Sequence, residues 1–376
     1  MDFSKLDIYM DNMPRMGIPA CELAISKDGV TVYRKCVGFA DSAKTRPVTE
    51  TDTYWLFSTT KVITCITAMR LVEQGVIALD DPVSKYIPEY AELKVLNKDG
   101  SVTDAQNVMT IEHLFTMCGG LNYDISREPI KKAIAETPST LDIVRSFAQS
   151  PLDFEPGTRY KYSLCHDVLA AVVEVATGMK FYEYLKSNVL DPLGIVDLGF
   201  HPTEDQQARL SAQYTYKNGT GEAIERPISN KYMLSPEYES GGAGLFSTVD
   251  EYMKIITVVA CGGATADGYV LLKPETIKMM GENRLSNEIL NDCFHRTRLY
   301  GYGWGPCGRA HYDAMRSQSI SPVGEFGWDG AAAAFSMIDP INHVALYYGT
   351  HVFGCDYAYH SIHPTLRNLA YIGLNS

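Results

Sequence analysis

Two β-prone runs, 22–26 and 30–37, flank Lys27-Asp28-Gly29 near the start of the chain. Asp-Gly between such runs is a strong hairpin signal, because a tight turn needs left-handed backbone that these residues tolerate. A second pair of runs, 332–338 and 343–348, flanks Asp339-Pro340-Ile341-Asn342 and predicts another hairpin with a longer turn. Between them the patterning is mostly helical, at 61–74, 111–117, 140–149, 164–177, 180–188 and 249–260. Ser163 is expected to cap the fourth of these helices, which closes at Gly178, and Thr248 with Glu251 to form a capping box for the last.

Strands at both chain ends with helices between them predict one sheet assembled from both termini and a helical region inserted in the middle. The expected fold class is therefore α/β of the α+β kind: an antiparallel sheet flanked by helices, plus a mainly helical lobe. Residues 1–80 and 235–376 are assigned to the first lobe and 81–234 to the second. The cleft between two packed lobes is a common place for a ligand site.

With 376 residues the chain is long enough for a large core, and its hydrophobic and charged fractions, 45% and 21%, are those of an ordinary globular protein. A net charge of −12 makes nucleic acid or an anionic membrane surface an unfavourable partner. Residues 1–17 mix acids among apolar residues and lack the pattern of a signal peptide, and no apolar run approaches the ~18 residues of a membrane span. The nine cysteines are scattered with no Cys-x-x-Cys pair, which fits reduced thiols in a cytoplasmic protein. The nine histidines are dispersed too. His360 and His363 form the one close pair, and Pro364 disfavours a regular helix across it, so no metal is expected.

Within this frame, Phe57-Ser58-Thr59-Thr60-Lys61 heads an otherwise apolar helical run. At helical spacing Ser58, Lys61, Cys65, Ala68 or Met69, and Val72 share one face, and Lys61 is the charge on it. A helix cap and a snorkelling lysine would explain the tetrad by itself. Two later stretches add weight. Glu155-Pro-Gly-Thr-Arg-Tyr-Lys-Tyr162-Ser163-Leu164 is a Pro-Gly turn leading into a helix, and Phe326-Gly-Trp328-Asp329-Gly330-Ala331 precedes the run at 332.

In this order the three stretches resemble the motifs of the serine β-lactamase and penicillin-binding protein superfamily, and most closely its class C branch. That branch includes esterases, D-aminopeptidases and acyltransferases. Residues 109–121, 241–252, 301–305 and 335–340 are similar to further parts of the family, so the resemblance spans roughly 15–355. It implies a β-lactamase-like fold and an acyl-enzyme mechanism with neither metal nor organic cofactor. Ser58 would be the nucleophile, with Lys61 as a base kept neutral by burial. Tyr162 would share the base role, its phenolate favoured by a cationic Lys61, and would protonate the leaving group. By the same analogy the backbone N–H groups of Ser58 and Ala331 would form the oxyanion hole.

Two departures bear on the substrate. Leu164 stands where the lactamases have the asparagine of Tyr-x-Asn, and can offer only apolar contact. Trp328-Asp329-Gly330 stands where they have Lys-Thr-Gly, and is similar to the Trp-x-Gly of the esterase members. Trp328 brings an apolar face, and Asp329 a charge that would repel a substrate carboxylate. Gly330 serves either a close backbone approach or a bend. Both departures move the site toward neutral or apolar acyl groups. The expected function is a serine hydrolase, foremost an esterase on small acyl esters. The alternatives are a D-aminopeptidase, an amidase or weak β-lactamase, an acyltransferase, and a binding module that acylates without turning over. No Gly-x-Ser-x-Gly elbow, phosphate loop, dinucleotide fingerprint or His-Glu-x-x-His is present.

Overall fold

The computed structural model describes residues 1–135 and 138–376. Asp28 and Gly29 take φ of 51° and 84°, the left-handed pair that a tight hairpin turn requires. They join strands Ala20–Lys27 and Val30–Gly38. The C-terminal hairpin pairs Phe335–Asp339 with Val344–Thr350. Its first strand begins at Phe335 rather than at 332, because Ala333 sits at φ 67°, outside extended backbone.

The hairpins meet edge to edge. Val344–Thr350 runs antiparallel to Ala20–Lys27, with Cys21 opposite Thr350 and Lys27 opposite Val344. Strands Tyr302–Gly305, Gly308–His311 and Phe326–Gly327 extend the sheet beyond Phe335–Asp339, giving seven antiparallel strands drawn from both chain ends. Side-chain alternation sorts these strands onto two apolar layers. Leu23, Ile25, Phe335 and Leu346 pack with the terminal helices Ser4–Asp11 and His363–Leu374, while Ala24, Ile338, Ala345 and Tyr347 join the core that holds Val249–Ala260 and the inserted helices.

The expected inserted helices occur as Thr60–Glu73, Ile111–Phe115, Thr140–Phe147, Cys165–Thr177 and Phe181–Leu185, the last continuing into a wider turn at Lys186–Leu190. Two caps differ from expectation. The Ser163 hydroxyl is buried and donates to the sulfurs of Met117 and Cys165, so Leu164 occupies the N-cap without a side-chain bond, although Gly178 does close the helix at φ 69°. Thr248 accepts from the Glu251 N–H at 3.1 Å, but the Glu251 carboxylate turns to Lys254 instead of closing a box.

Thr60–Glu73 runs through the middle of the core. Every residue from Thr60 to Met69 is buried, so the apolar face read from the sequence is one side of a helix enclosed all round. The chain enters it through the short strand Thr53–Trp55, paired with Phe246–Thr248, and a single turn at Phe57–Thr59. No helix among the described residues is long and apolar enough to cross a membrane.

Candidate active site

Phe57 has φ of 47°, a left-handed conformation rare for a bulky residue and costing of order 1–3 kcal/mol. Its ring is held edge-on by His351 and Phe353, and His351 is itself bonded to the carbonyls of Ser211 and Trp55. This bend turns the chain sharply from strand to helix and leaves Ser58, 9% exposed, on the floor of a cleft of about 350 Å³. Tyr162, Trp328, Asp329, Gly330 and Ala331 line the same cleft, so three distant segments meet there.

Lys61 lies one turn behind Ser58 and is 1% exposed. Its Nζ is 3.4 Å from Ser58 Oγ and donates to the Tyr123 hydroxyl at 2.8 Å and the Gly242 carbonyl at 2.5 Å. Burial pushes its pKa down to about 8, against the opposing pull of Asp167, Cys65 and Cys165. An ammonium taken out of water loses hydration that these few acceptors do not restore.

Tyr162 stands over the lysine, whose Nζ is 4.8 Å from the centre of the ring. The Trp328 indole donates to the Tyr162 oxygen at 2.8 Å. The expectation that Lys61 would favour a Tyr162 phenolate is not met. Burial raises the phenol above its ordinary value, and contacts with Ser58, Trp328 and Tyr123 offset only part of the rise. The neutral phenol is therefore the favoured form of Tyr162, while the Lys61 pKa is lowered to about 8.

Gly330 serves close approach. A Cβ there would meet the Leu56 carbonyl at 3.0 Å. Its N–H bonds to the Ala334 carbonyl at 2.8 Å and its carbonyl accepts from Tyr359 at 2.9 Å, which fixes the turn and leaves the next residue, Ala331, exposed at the cleft.

Two expectations about side chains change. Leu164 does not line this cleft. It is buried beside Leu121, Ile130 and Phe147 at a separate small crevice, because it starts a helix that faces inward. Asp329 reaches the cleft, but its charge is already matched: Arg309, buried on the neighbouring strand, donates to it at 2.8 Å. Burial works against the carboxylate, yet Arg309 and His363 hold its pKa below the usual range. Its repulsion of a substrate anion is weakened accordingly.

Sequence reasoning missed Tyr123 and Asp167. Tyr123 bonds Lys61 and stacks on Tyr162 at 5.5 Å, and its only sequence signal is its place just after the Gly-Gly-Leu turn. Asp167 is buried beneath the glycine turn, where Oδ1 accepts from Tyr238 at 2.8 Å, Ser240 at 2.5 Å and the Gly242 N–H at 3.3 Å. It fixes the carbonyl that receives Lys61. No group of three or more His, Cys, Asp or Glu side chains able to hold a metal occurs among the described residues.

The Beta-lactamase family model matches residues 9–357. The chain belongs to the beta-lactamase family. Among its relatives in that family, Esterase EstB of Burkholderia gladioli is 31% identical over 81% of this chain and 79% of its own. The ML-236A carboxylate methylbutanoyltransferase mlcH of Penicillium citrinum is 29% identical over 76% and 71%. Of solved structures, EstCE1, a hydrolase with promiscuous acyltransferase activity, superposes with a TM-score of 0.79 at 23% identity, covering 98% of this chain and 96% of that one. At that identity the superposition carries the fold alone, which is the beta-lactamase fold. Family membership makes this chain a serine hydrolase.

Proposed function

We propose that the protein is a carboxylesterase that cleaves small acyl esters through an acyl-enzyme on Ser58. The observation that carries this reading is Lys61 Nζ, buried and 3.4 Å from Ser58 Oγ on the cleft floor. Neutral Lys61 takes the Ser58 proton as Oγ bonds to the acyl carbon and the carbonyl π electrons move to oxygen. The N–H groups of Ser58 and Ala331 receive that oxyanion. Collapse expels the alkoxide, which takes the proton held on the Lys61 ammonium, either directly or through Tyr162, whose phenol that ammonium restores. Water then attacks the ester of Ser58 along the reverse route, leaving a carboxylic acid and free Ser58.

Ester substrates are favoured by Trp328, whose ring stands where the lactamase branch has a cationic side chain and whose N–H is engaged by Tyr162. Acyl transfer is the second reading, supported by the relative whose name is a methylbutanoyltransferase. It differs only in the nucleophile that enters the second step. A panel of 4-nitrophenyl esters, D-amino-acid anilides and a cephalosporin, assayed with and without an added alcohol acceptor, tests both. Ester turnover dominating the panel is expected. Anilide or cephalosporin turnover equal to the best ester would overturn the esterase reading, and a transferred product exceeding free acid would favour the second.

A further inference from the structure

Beside the cleft lies a second cavity of about 560 Å³, and the two share Leu299, Asp329, Tyr359 and His360 as walls. In a chain of net charge −12, this cavity gathers Arg298, Arg309, Arg316 and Arg367. Three of the four already face a carboxylate. Arg309 bonds Asp329, Glu325 and the Ser336 carbonyl at 2.8, 3.1 and 2.8 Å, and Arg316 lies 3.4 Å from Asp313.

Arg367, the third, has Glu325 as its counter-charge but leaves most of its donors unbonded among the described residues. It is 5% exposed, with its guanidinium 4.9 Å from the Tyr302 ring centre and 5.5 Å from that of Phe335. Its one side-chain hydrogen bond among the described residues is a long one, 3.4 Å to Ser319 Oγ. Glu325 is near, with Oε2 3.7 Å from Nε, but that oxygen already accepts from Tyr302 at 3.0 Å and Ser321 at 3.1 Å. A guanidinium carries five donors in a fixed fork, and a buried charge that is incompletely bonded is costly. Arg298 adds a second cation at the rim. It caps helix Asn287–Thr297 at φ 56°, is exposed, and forms no ion pair among the described residues.

We propose that this annex binds an oxyanion, a carboxylate or a phosphate, carried on one arm of the ester that acylates Ser58. Arg367 receives it in the depth of the annex and Arg298 closes over it from the rim, a pairing for which planar guanidinium donors are well suited. The aromatic and aliphatic wall shared by the two cavities, Leu299 and Tyr359, spans the distance between the charged end and the reacting end. The inference rests on the esterase reading and refines it: the substrate is apolar beside the scissile carbonyl and anionic at its far end.

Binding and turnover test it separately. In Ser58→Ala protein, calorimetry with succinate and with inorganic phosphate reads the annex without any chemistry. Binding of either, weakened about tenfold or more by Arg298→Ala, is expected, and the preferred ion identifies the source. In the active protein, kcat/KM is compared for 4-nitrophenyl butyrate, the mono-4-nitrophenyl ester of glutarate, and the butyrate ester of 4-hydroxyphenylacetate. One of the two anionic esters should exceed the neutral one by about tenfold or more, and both Arg367→Met and Arg298→Ala should lower that ratio. If neither ion binds, or if neutral ester is preferred and neither variant changes the ratio, the annex is not an oxyanion site. Loss of all ester turnover with retained ion binding would instead strike the esterase reading and leave the annex standing.

Discussion

The Trp328 indole N–H donates to the Tyr162 hydroxyl oxygen at 2.8 Å, so the third motif orients the tyrosine of the second. With its oxygen engaged from one side, the phenol is held in place over Lys61. Replacing the indole by phenyl keeps an aromatic wall and removes the donor. Trp328→Phe should lower kcat by about two- to tenfold, the size of one neutral hydrogen bond, with little change in KM. Steady-state kinetics on a short-chain ester separates the two. A change confined to KM would mean that Trp328 contacts substrate without orienting Tyr162.

Lys61 should set the pH dependence. Its pKa is depressed by burial to about 8, and the neutral form is the active one. That form is absent in acid and accumulates as pH rises, reaching roughly one tenth at pH 7 and half at pH 8. The profile of kcat/KM should therefore climb with unit slope from pH 6 and level off above pH 8. Lys61→Arg retains a charge that is not given up, and should lose most activity at every pH while staying folded by circular dichroism.

Asp167 should tune that profile without touching substrate. Its negative charge raises the Lys61 pKa, so Asp167→Asn should move the rising limb to lower pH. The same change weakens the bonds from Tyr238, Ser240 and Gly242 and should cost about 1.5 kcal/mol of stability. A thermal shift with an unmoved limb would leave Asp167 a purely structural residue.

What could be read from the sequence was local or ordered along the chain. Asp28-Gly29 declared its hairpin because backbone sign is a property of the residues themselves, and Ser58, Tyr162 and Trp328 stood out through family order. Contacts set by tertiary packing were illegible. Arg309 meets Asp329 across neighbouring strands, and Tyr123 reaches Lys61 from a loop distant in sequence; no local pattern encodes either. Ser163 misled for a related reason. Its composition suits a cap, but the helix start is turned into the core, where the hydroxyl finds sulfur instead of backbone.

Tyr160 and Tyr162 provide a check of register. Tyr160 is fully buried, its ring 5.2 Å from that of Trp304, whereas Tyr162 carries the Trp328 bond and stands over Lys61. Tyr162→Phe should cost at least ~10²-fold in kcat, the lower range for a general acid or base. Tyr160→Phe should cost about fivefold or less, mainly through stability. The reverse ranking would exchange the roles of the two tyrosines.

The central claim is that Ser58 carries the acyl group. Incubation with a fluorophosphonate, followed by intact-mass spectrometry and peptide mapping, tests it most directly. One adduct per chain on the peptide containing Ser58 is expected, with labelling and ester turnover both abolished in Ser58→Ala. An adduct on another serine, with Ser58→Ala still labelled and fully active, would contradict it.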